Sequence, residues 1–378
     1  MGGGEMLKWS IRLFSFCWLL AVTAFAQAPT ALQQQVETNL AGGHAAGKNG
    51  AVKAAHRHLV RVQTIQTPSE MATEFYSPLK CDSDGNLYLQ SHPETPAIHK
   101  LNAKGEQVAL FRPTANPDLQ VDVGGYFTIA ASGEVYEIVA AHEITRYLFM
   151  YKPDGSLKSI VKLQPGFAWM PGAVSVFPSG HLLISGLAYD RDVHAAMRPF
   201  TGIFAPDGAL LKEVHLEDDD TLREMAASGD ARVSSPLSPR INRAISSSQM
   251  EVASDGNAYL MRWTTPAIFY AISAGGEVVR RFTVDPGDSS YRPVSMHLSQ
   301  NRIAVLFADP HTHEKAMKIV DLEGREITTY DELSANSKSV TDMLGAAFAC
   351  YTVDPERFTF LGADDDGRVQ FWIAEPRN

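Results

Sequence analysis

An all-β fold, a β-propeller of six blades, is the class that this 378-residue chain predicts. Three observations predict it: a tight turn recurring between short β-forming runs, a second turn following each copy, and an early run that matches a strand the last unit lacks. The first turns are Asp84-Gly85-Asn86, Ser132-Gly133-Glu134, Ser179-Gly180-His181, Asp255-Gly256-Asn257 and Gln300-Asn301-Arg302. The second turns are Lys104-Gly105-Glu106, Asp154-Gly155-Ser156, Asp207-Gly208-Ala209, Gly275-Gly276-Glu277 and Glu323-Gly324-Arg325.

Leu87-Tyr88-Leu89, Val135-Tyr136-Glu137-Ile138, Leu182-Leu183-Ile184 and Ala258-Tyr259-Leu260 each follow directly on a first turn. Short runs bounded in this way by turn residues are strand signals. Each unit therefore reads as strand, tight turn, strand, longer loop, strand, tight turn, strand. Four strands in about 40–50 residues is the period of a propeller blade. The rhythm breaks once, at an insertion over residues 217–248, where Asp220 or Thr221 is placed to cap a short helix. Five units are complete. The sixth offers three strands, in Phe348–Val353, Arg357–Leu361 and Arg368–Ile373, and then the sequence stops. Leu59–Ile65 resembles the outer strand Val278–Val284 and is expected to supply the fourth, which would remove two open sheet edges. The propeller is thus assigned to residues 56–378.

The first 26 residues read as an export signal. Lys8 and Arg12 precede the apolar run Leu13–Phe25, and Ala24-Phe25-Ala26 forms a small-x-small cleavage site before Gln27. The run is shorter than the roughly 20 residues that a spanning helix requires; an uncleaved anchor is the alternative. Residues 27–55, rich in Ala, Gln and Gly, read as a flexible spacer. The expectation is an exported protein, periplasmic or secreted, with no membrane span once the signal is removed. Cleavage would leave Cys81 and Cys350, an even number suited to an oxidising compartment. A disulfide between them and two buried free thiols are both open at this point. A net charge of -10 with no Lys/Arg run argues against nucleic acid as a partner.

The phrases Asp82-Ser83-Asp84-Gly85-Asn86-Leu87-Tyr88-Leu89, Ile98-His99-Lys100-Leu101-Asn102 and Lys104-Gly105-Glu106 resemble NHL-repeat and gluconolactonase-like six-bladed propellers. Ser254-Asp255-Gly256-Asn257-Ala258-Tyr259-Leu260 repeats the pattern. The resemblance covers about residues 75 to 374 and rests on turns, so it speaks for architecture. Gluconolactonase-like enzymes hold a divalent metal through a Glu near the first inner strand, with Asn and Asp from later blades. Here that strand, Phe75–Cys81, has no Glu, and no zinc-binding histidine set of the NHL-type lyases matches either. No active-site residue is carried over.

Function is expected on the face opposite the tight turns, where the long segments gather: Ser91–Ala97, Phe111–Gly125, Gln164–Ala173, Ala188–Phe200, Glu217–Ser248, Asp285–Pro293, Asp309–Glu314 and Asp331–Gly345. Loops on a rigid scaffold are where binding concentrates. Trp169, Tyr189, Arg198, Arg240, Arg243, Trp263 and Tyr291 are the candidate anchors there, aromatic and Arg side chains being the commonest energetic contacts. For each Trp the alternative is packing between blades. His311 and His313 are a weak metal candidate, being half of a four-ligand site. Glu217–Asp220 and Asp364–Asp366 read as solvated acidic turns. Neither a Gly-x-Ser-x-Gly elbow nor a phosphate loop occurs. The sequence therefore reads as a non-catalytic binding or interaction scaffold for a small molecule, glycan, peptide or envelope protein, with no cofactor assigned. The alternative is a metal-dependent hydrolase, lactonase or lyase with its site at the channel mouth.

Overall fold

The computed structural model describes residues 55–68, 75–91, 97–113, 119, 121–123, 125–141, 145–189, 197–219, 249–309, 311–312, 315–331, 347–363 and 369–377. The chain divides into two compact units, Met1–Gly43 and His44–Asn378, and all the described residues lie in the second. Export signal, most of the spacer, and the larger part of the insertion lie outside them.

The described fold is all-β. After β1 (Ala55–Gln66), a four-stranded sheet is formed by β2 (Phe75–Cys81), β3 (Leu87–Ser91), β4 (Ile98–Leu101) and β5 (Gln107–Phe111). In the second sheet β6 (Val121–Val123) and β7 (Phe127–Ile129) both pair with β8 (Val135–Ala141), followed by β9 (Thr145–Tyr151) and β10 (Leu157–Lys162). The third sheet is β11 (Ala168–Val176), β12 (Leu182–Tyr189), β13 (Met197–Phe204) and β14 (Leu210–Glu213). The fourth is β15 (Gln249–Val252), β16 (Ala258–Arg262), β17 (Ala267–Ile272) and β18 (Val278–Val284). The remaining strands are β19 (Arg292–Ser299), β20 (Arg302–Ala308), β21 (Lys315–Asp321), β22 (Glu326–Asp331), β23 (Ala347–Val353), β24 (Glu356–Ala363) and β25 (Val369–Arg377). With β1 they make one eight-stranded sheet in the order β19-β20-β21-β22-β1-β25-β24-β23. There β1 runs antiparallel to β25 from His58↔Arg377 to Gln66↔Gln370, and parallel to β22 from Ala55↔Thr328 to His58↔Asp331.

The arrangement is propeller-like. The inner strands lie against one another in a closed succession: β2 on β7, β7 on β11, β11 on β15, β15 on β19, β19 on β23, and β23 on β2. The cores lie between the faces of neighbouring sheets. Tyr136, Ile138 and Leu148 meet Trp169, Val174 and Ile184; Tyr259 and Phe269 meet Met296, Val305 and Phe307. Burying one such side chain contributes roughly 1.5–3 kcal/mol.

The recurring turns hold their shape by local chemistry. Asp82 Oδ1 accepts from the backbone N–H groups of Asp84 and Asn86, and Tyr88 on the next strand donates its hydroxyl to Asp82 Oδ2 at 2.9 Å. Tyr259 does the same to Asp255 at 2.8 Å, and Tyr136 to Glu134 at 3.3 Å. Burial, with the adjoining carboxylate, pushes the Tyr88 and Tyr259 phenols far above the usual range, so they stay donors. The two turn families differ in what their glycine does. Gly85 sits at φ +77° with open space where a Cβ would be, so it answers to backbone conformation alone. Gly324 also has positive φ, but a Cβ there would come within 2.3 Å of Phe282 on the outer strand of the preceding sheet. Second turns at 105, 155 and 208 press in the same way on backbone oxygens of Gln66, Leu110 and Lys162, at 2.5, 2.5 and 2.3 Å. These turns dock each sheet on its neighbour. In the fifth first turn the left-handed position is taken by Gln300, at φ +53°.

Candidate functional site

Five of the six inner strands carry an apolar–polar–apolar triplet close to their turn: Leu79-Lys80-Cys81, Phe127-Thr128-Ile129, Val174-Ser175-Val176, Met250-Glu251-Val252 and Met296-His297-Leu298. The pleat alternates sides, so on β2, β7, β11 and β19 the apolar flanks committed to the cores turn the middle residue to the opposite face. Four of the five share one register. Lys80↔Tyr88, Thr128↔Tyr136, Ser175↔Leu183 and Glu251↔Tyr259 each lie one pair before the last pair of their hairpin. Lys80, Thr128, Ser175 and His297 are buried, while the side chain of Glu251 keeps 21% exposure.

Three of these residues make one ionic cluster. Lys80 Nζ lies 3.9 Å from Glu251 Oε1, and His297 Nδ1 lies 3.2 Å from the same oxygen. The strands packed on β2 are β7 and β23, so an ion pair from β2 to β15 crosses the middle of the circuit of inner strands. Glu251 Oε2 also accepts from the N–H of Leu298 at 2.7 Å, and Gln249 Oε1 accepts from the N–H of Met296 at 2.8 Å. Side chains of β15 thus satisfy amides on the edge of β19 that faces away from β20. Burial alone would raise the Glu251 carboxyl; the bond from His297, with the charges of His297 and Lys80, outweighs it and holds the group below its usual range. Burial lowers the Lys80 amine, and Glu251 opposes this only in part. His297 Nε2 faces the carbonyl oxygen of Phe348 at 3.1 Å. Carboxylate and carbonyl are both acceptors, so the two ring bonds exist together only with a hydrogen on each nitrogen.

Two other buried polar networks bind sheets together. Arg262, fully buried on β16, donates to Ser185 Oγ at 3.2 Å and Asp219 Oδ1 at 3.0 Å; Tyr270 donates to Asp218. Ser185 also meets Thr201 at 3.1 Å. Asp218 and Asp219 are therefore not a solvated acidic turn. The segment after β14 folds them into the seam between the third and fourth sheets, where a buried guanidinium compensates their charge. Glu137, fully buried on β8, accepts from Gln90 at 2.9 Å and Tyr151 at 3.3 Å, tying the second sheet to the first. Cys81 and Cys350 are joined by a disulfide with Cα atoms 5.5 Å apart, linking β2 to β23.

Of the candidate anchors, Trp169, Tyr189, Arg198, Trp263 and Tyr291 are among the described residues. Trp169 keeps only 5% exposure, edge-on to Phe200 at 5.7 Å and stacked on Phe204 at 5.6 Å; it is a core residue. Arg198 is engaged by Glu213 and lies over the Phe167 ring at 5.3 Å. Tyr189 is half-buried with its hydroxyl on Met170 Sδ at 3.8 Å, while Trp263 and Tyr291 are half-buried, Tyr291 packing on the core between the fourth and fifth sheets. Arg240, Arg243 and His313 lie outside the described residues. His311 is exposed and its backbone N–H donates to Asp309 at 2.7 Å. Among the described residues, no group of three or more His, Cys, Asp or Glu is placed to hold a metal ion. The inner-strand triplets went unread because each alone looks like an ordinary amphipathic strand. Their signal was a polar position between apolar flanks that recurs close to five of the turns.

No family model and no curated protein matches the chain. Solved structures similar in part include a Bacteroides caccae protein of unknown function, at 12% identity and TM-score 0.43, covering 67% of this chain and 80% of that one. A PQQ-bound aldose sugar dehydrogenase from Streptomyces coelicolor aligns at 11% identity and TM-score 0.44 over 84% and 98%. The Neurospora crassa Pan2 WD40 domain aligns at 8% and 0.41 over 85% and 97%. Likenesses of this degree say nothing about activity.

Proposed function

We propose that this chain is a six-bladed propeller of the NHL-like type, exported to an oxidising compartment, and that it binds a small polar ligand at the centre of its inner strands. The six-blade reading divides the eight-stranded sheet at its short parallel contact, giving β19–β22 as one blade and β23–β25 with β1 as the next. The closed succession of six inner strands supports that division. Export is supported by the signal-like start of the sequence and by a disulfide, which persists in oxidising compartments. The observation that carries the binding reading is the Lys80–Glu251 pair across the middle, set among buried polar residues in one register. Ligand sites are concave and hold a few convergent polar groups.

The test is a ligand screen on the full chain by thermal shift, repeated with Lys80→Met, beside a turnover screen with and without divalent metals. Saturable stabilisation that Lys80→Met removes is the expected result. Robust turnover that survives Lys80→Met and depends on added metal would overturn the reading.

A further inference from the structure

The ionic cluster and the disulfide close a single circuit. Lys80 on β2 lies 3.9 Å from Glu251 Oε1 on β15, and the same oxygen lies 3.2 Å from His297 Nδ1 on β19. His297 Nε2 then lies 3.1 Å from the carbonyl oxygen of Phe348 on β23, and its ring meets the Phe348 ring edge-on at 4.8 Å. Two residues past Phe348, Cys350 is bonded to Cys81, the residue that follows Lys80. A polar path therefore leaves β2 at Lys80, and a covalent one returns to it at Cys81. Both strands are irregular at this point. The ladder of β2 with β3 shifts register between Tyr76 and Lys80, and that of β23 with β24 between Phe348 and Cys350. Such breaks leave residues out of the hydrogen-bonded pairing. Shifts of β2 against β23 are thus resisted by the bridge and the cluster together.

We propose that the Cys81–Cys350 bridge is a redox-sensitive latch on the central cluster: its reduction by a dithiol loosens Lys80 from Glu251 and Phe348 from His297, and its reoxidation restores both contacts. Cys81 is half-buried and Cys350 buried, so attack falls on the Cys81 sulfur. One thiolate of the dithiol bonds to that sulfur and displaces Cys350 as a thiolate, which takes up a proton. The second thiolate attacks the reductant's own sulfur in this mixed disulfide. Cys81 leaves as a thiol, and the reductant closes into a disulfide. Two electrons have passed to the protein. Afterwards β2 still pairs with β3, and β23 with β24, so the change is local to the centre. The coupling needs no ligand there. It is also reciprocal: what the bridge contributes to the cluster, the cluster contributes to the bridge. Weakening the cluster must therefore make the bridge easier to reduce.

The test is equilibration of the full chain in mixtures of reduced and oxidised dithiothreitol, followed by alkylation and peptide mapping of Cys81 and Cys350. Glu251→Gln keeps an acceptor for the Leu298 amide but removes the charge that faces Lys80 and His297. It is expected to shift the reduction equilibrium towards the thiols by about fivefold or more. Arg262→Met, in the seam between the third and fourth sheets, controls for loss of stability alone and should stay within about twofold of wild type. In the wild-type chain the ring-proton signal of His297, assigned with His297→Gln, should move when the bridge is reduced. A Glu251→Gln shift under about twofold, or one that Arg262→Met matches, overturns the proposal. Should Glu251→Gln fail to fold, the His297 signal decides: unmoved by reduction, it overturns the proposal.

Discussion

Replacing Glu137 by Gln should change how stability depends on pH, and the size of the change can be worked from its surroundings. Glu137 is fully buried, and burial pushes its carboxyl from 4.5 up to about 8, with the bonds from Tyr151 and Gln90 opposing only in part. The folded chain therefore holds a proton that the unfolded chain releases near pH 4.5. A raised carboxyl pKa means that stability falls as pH rises through the interval between the two values, and levels off above the folded one. Integrating a shift from 4.5 to about 8 over pH 5 to pH 8 gives a loss of about 3–4 kcal/mol from this group. Gln has the same shape: its oxygen can accept from Gln90 and its amide can donate to the Tyr151 hydroxyl. Urea unfolding of wild type and Glu137→Gln at pH 5, 6, 7 and 8 measures the difference directly. The variant is expected to match wild type near pH 5 and to exceed it by a few kcal/mol at pH 8. Stability curves that stay parallel across that range would refute the assignment of Glu137 as a protonated, buried acid.

Arg262→Met should destabilise by about 3–5 kcal/mol at pH 7 by leaving Asp218 and Asp219 buried without their cation, and by less at pH 4, since burial raises the Asp219 carboxyl and lets it take up a proton there; equal losses at both pH values would contradict it. Gly208→Ala should cost several kcal/mol, since its Cβ meets the Lys162 carbonyl oxygen at 2.3 Å, while Gly256→Ala should cost about 1 kcal/mol for its φ of +81° alone. Denaturant midpoints for the pair give that ordering or reverse it. Reducing the Cys81–Cys350 bridge should lower stability by up to about 5–6 kcal/mol, the loop-entropy value for a separation of 269 residues; unfolding with and without reductant reads this.

Turns and strands were legible because their causes are local. A Gly at positive φ, a carboxylate two or more residues away and a Tyr on the following strand all fall within one short phrase, as in Asp82–Tyr88. The run Leu59–Ile65 was legible as a strand, and it lies on β1 beside β25. What escaped was set by distant partners. Gly324 looks like any other turn glycine until Phe282 is brought beneath it. Trp169 has the composition of a binding anchor, but Phe200 and Phe204 take both of its sides. Asp218 and Asp219 look solvated until Arg262, 43 residues past Asp219, arrives in the same seam. Lys80 and Glu251 are 171 positions apart, and only the return of the chain to its first sheet puts them across from each other.

The bridge from β2 to β23 makes most of the chain a covalent hoop. A single protease cut anywhere in the connections between Cys81 and Cys350 leaves two pieces that still travel as one molecule, parting only under reductant. β1 and β25, hydrogen-bonded along their length outside the hoop, hold the two pieces together a second time. A chain clipped in one of those connections would therefore persist as a nicked but assembled species. On a gel it would show its damage only after its one covalent clasp had been opened.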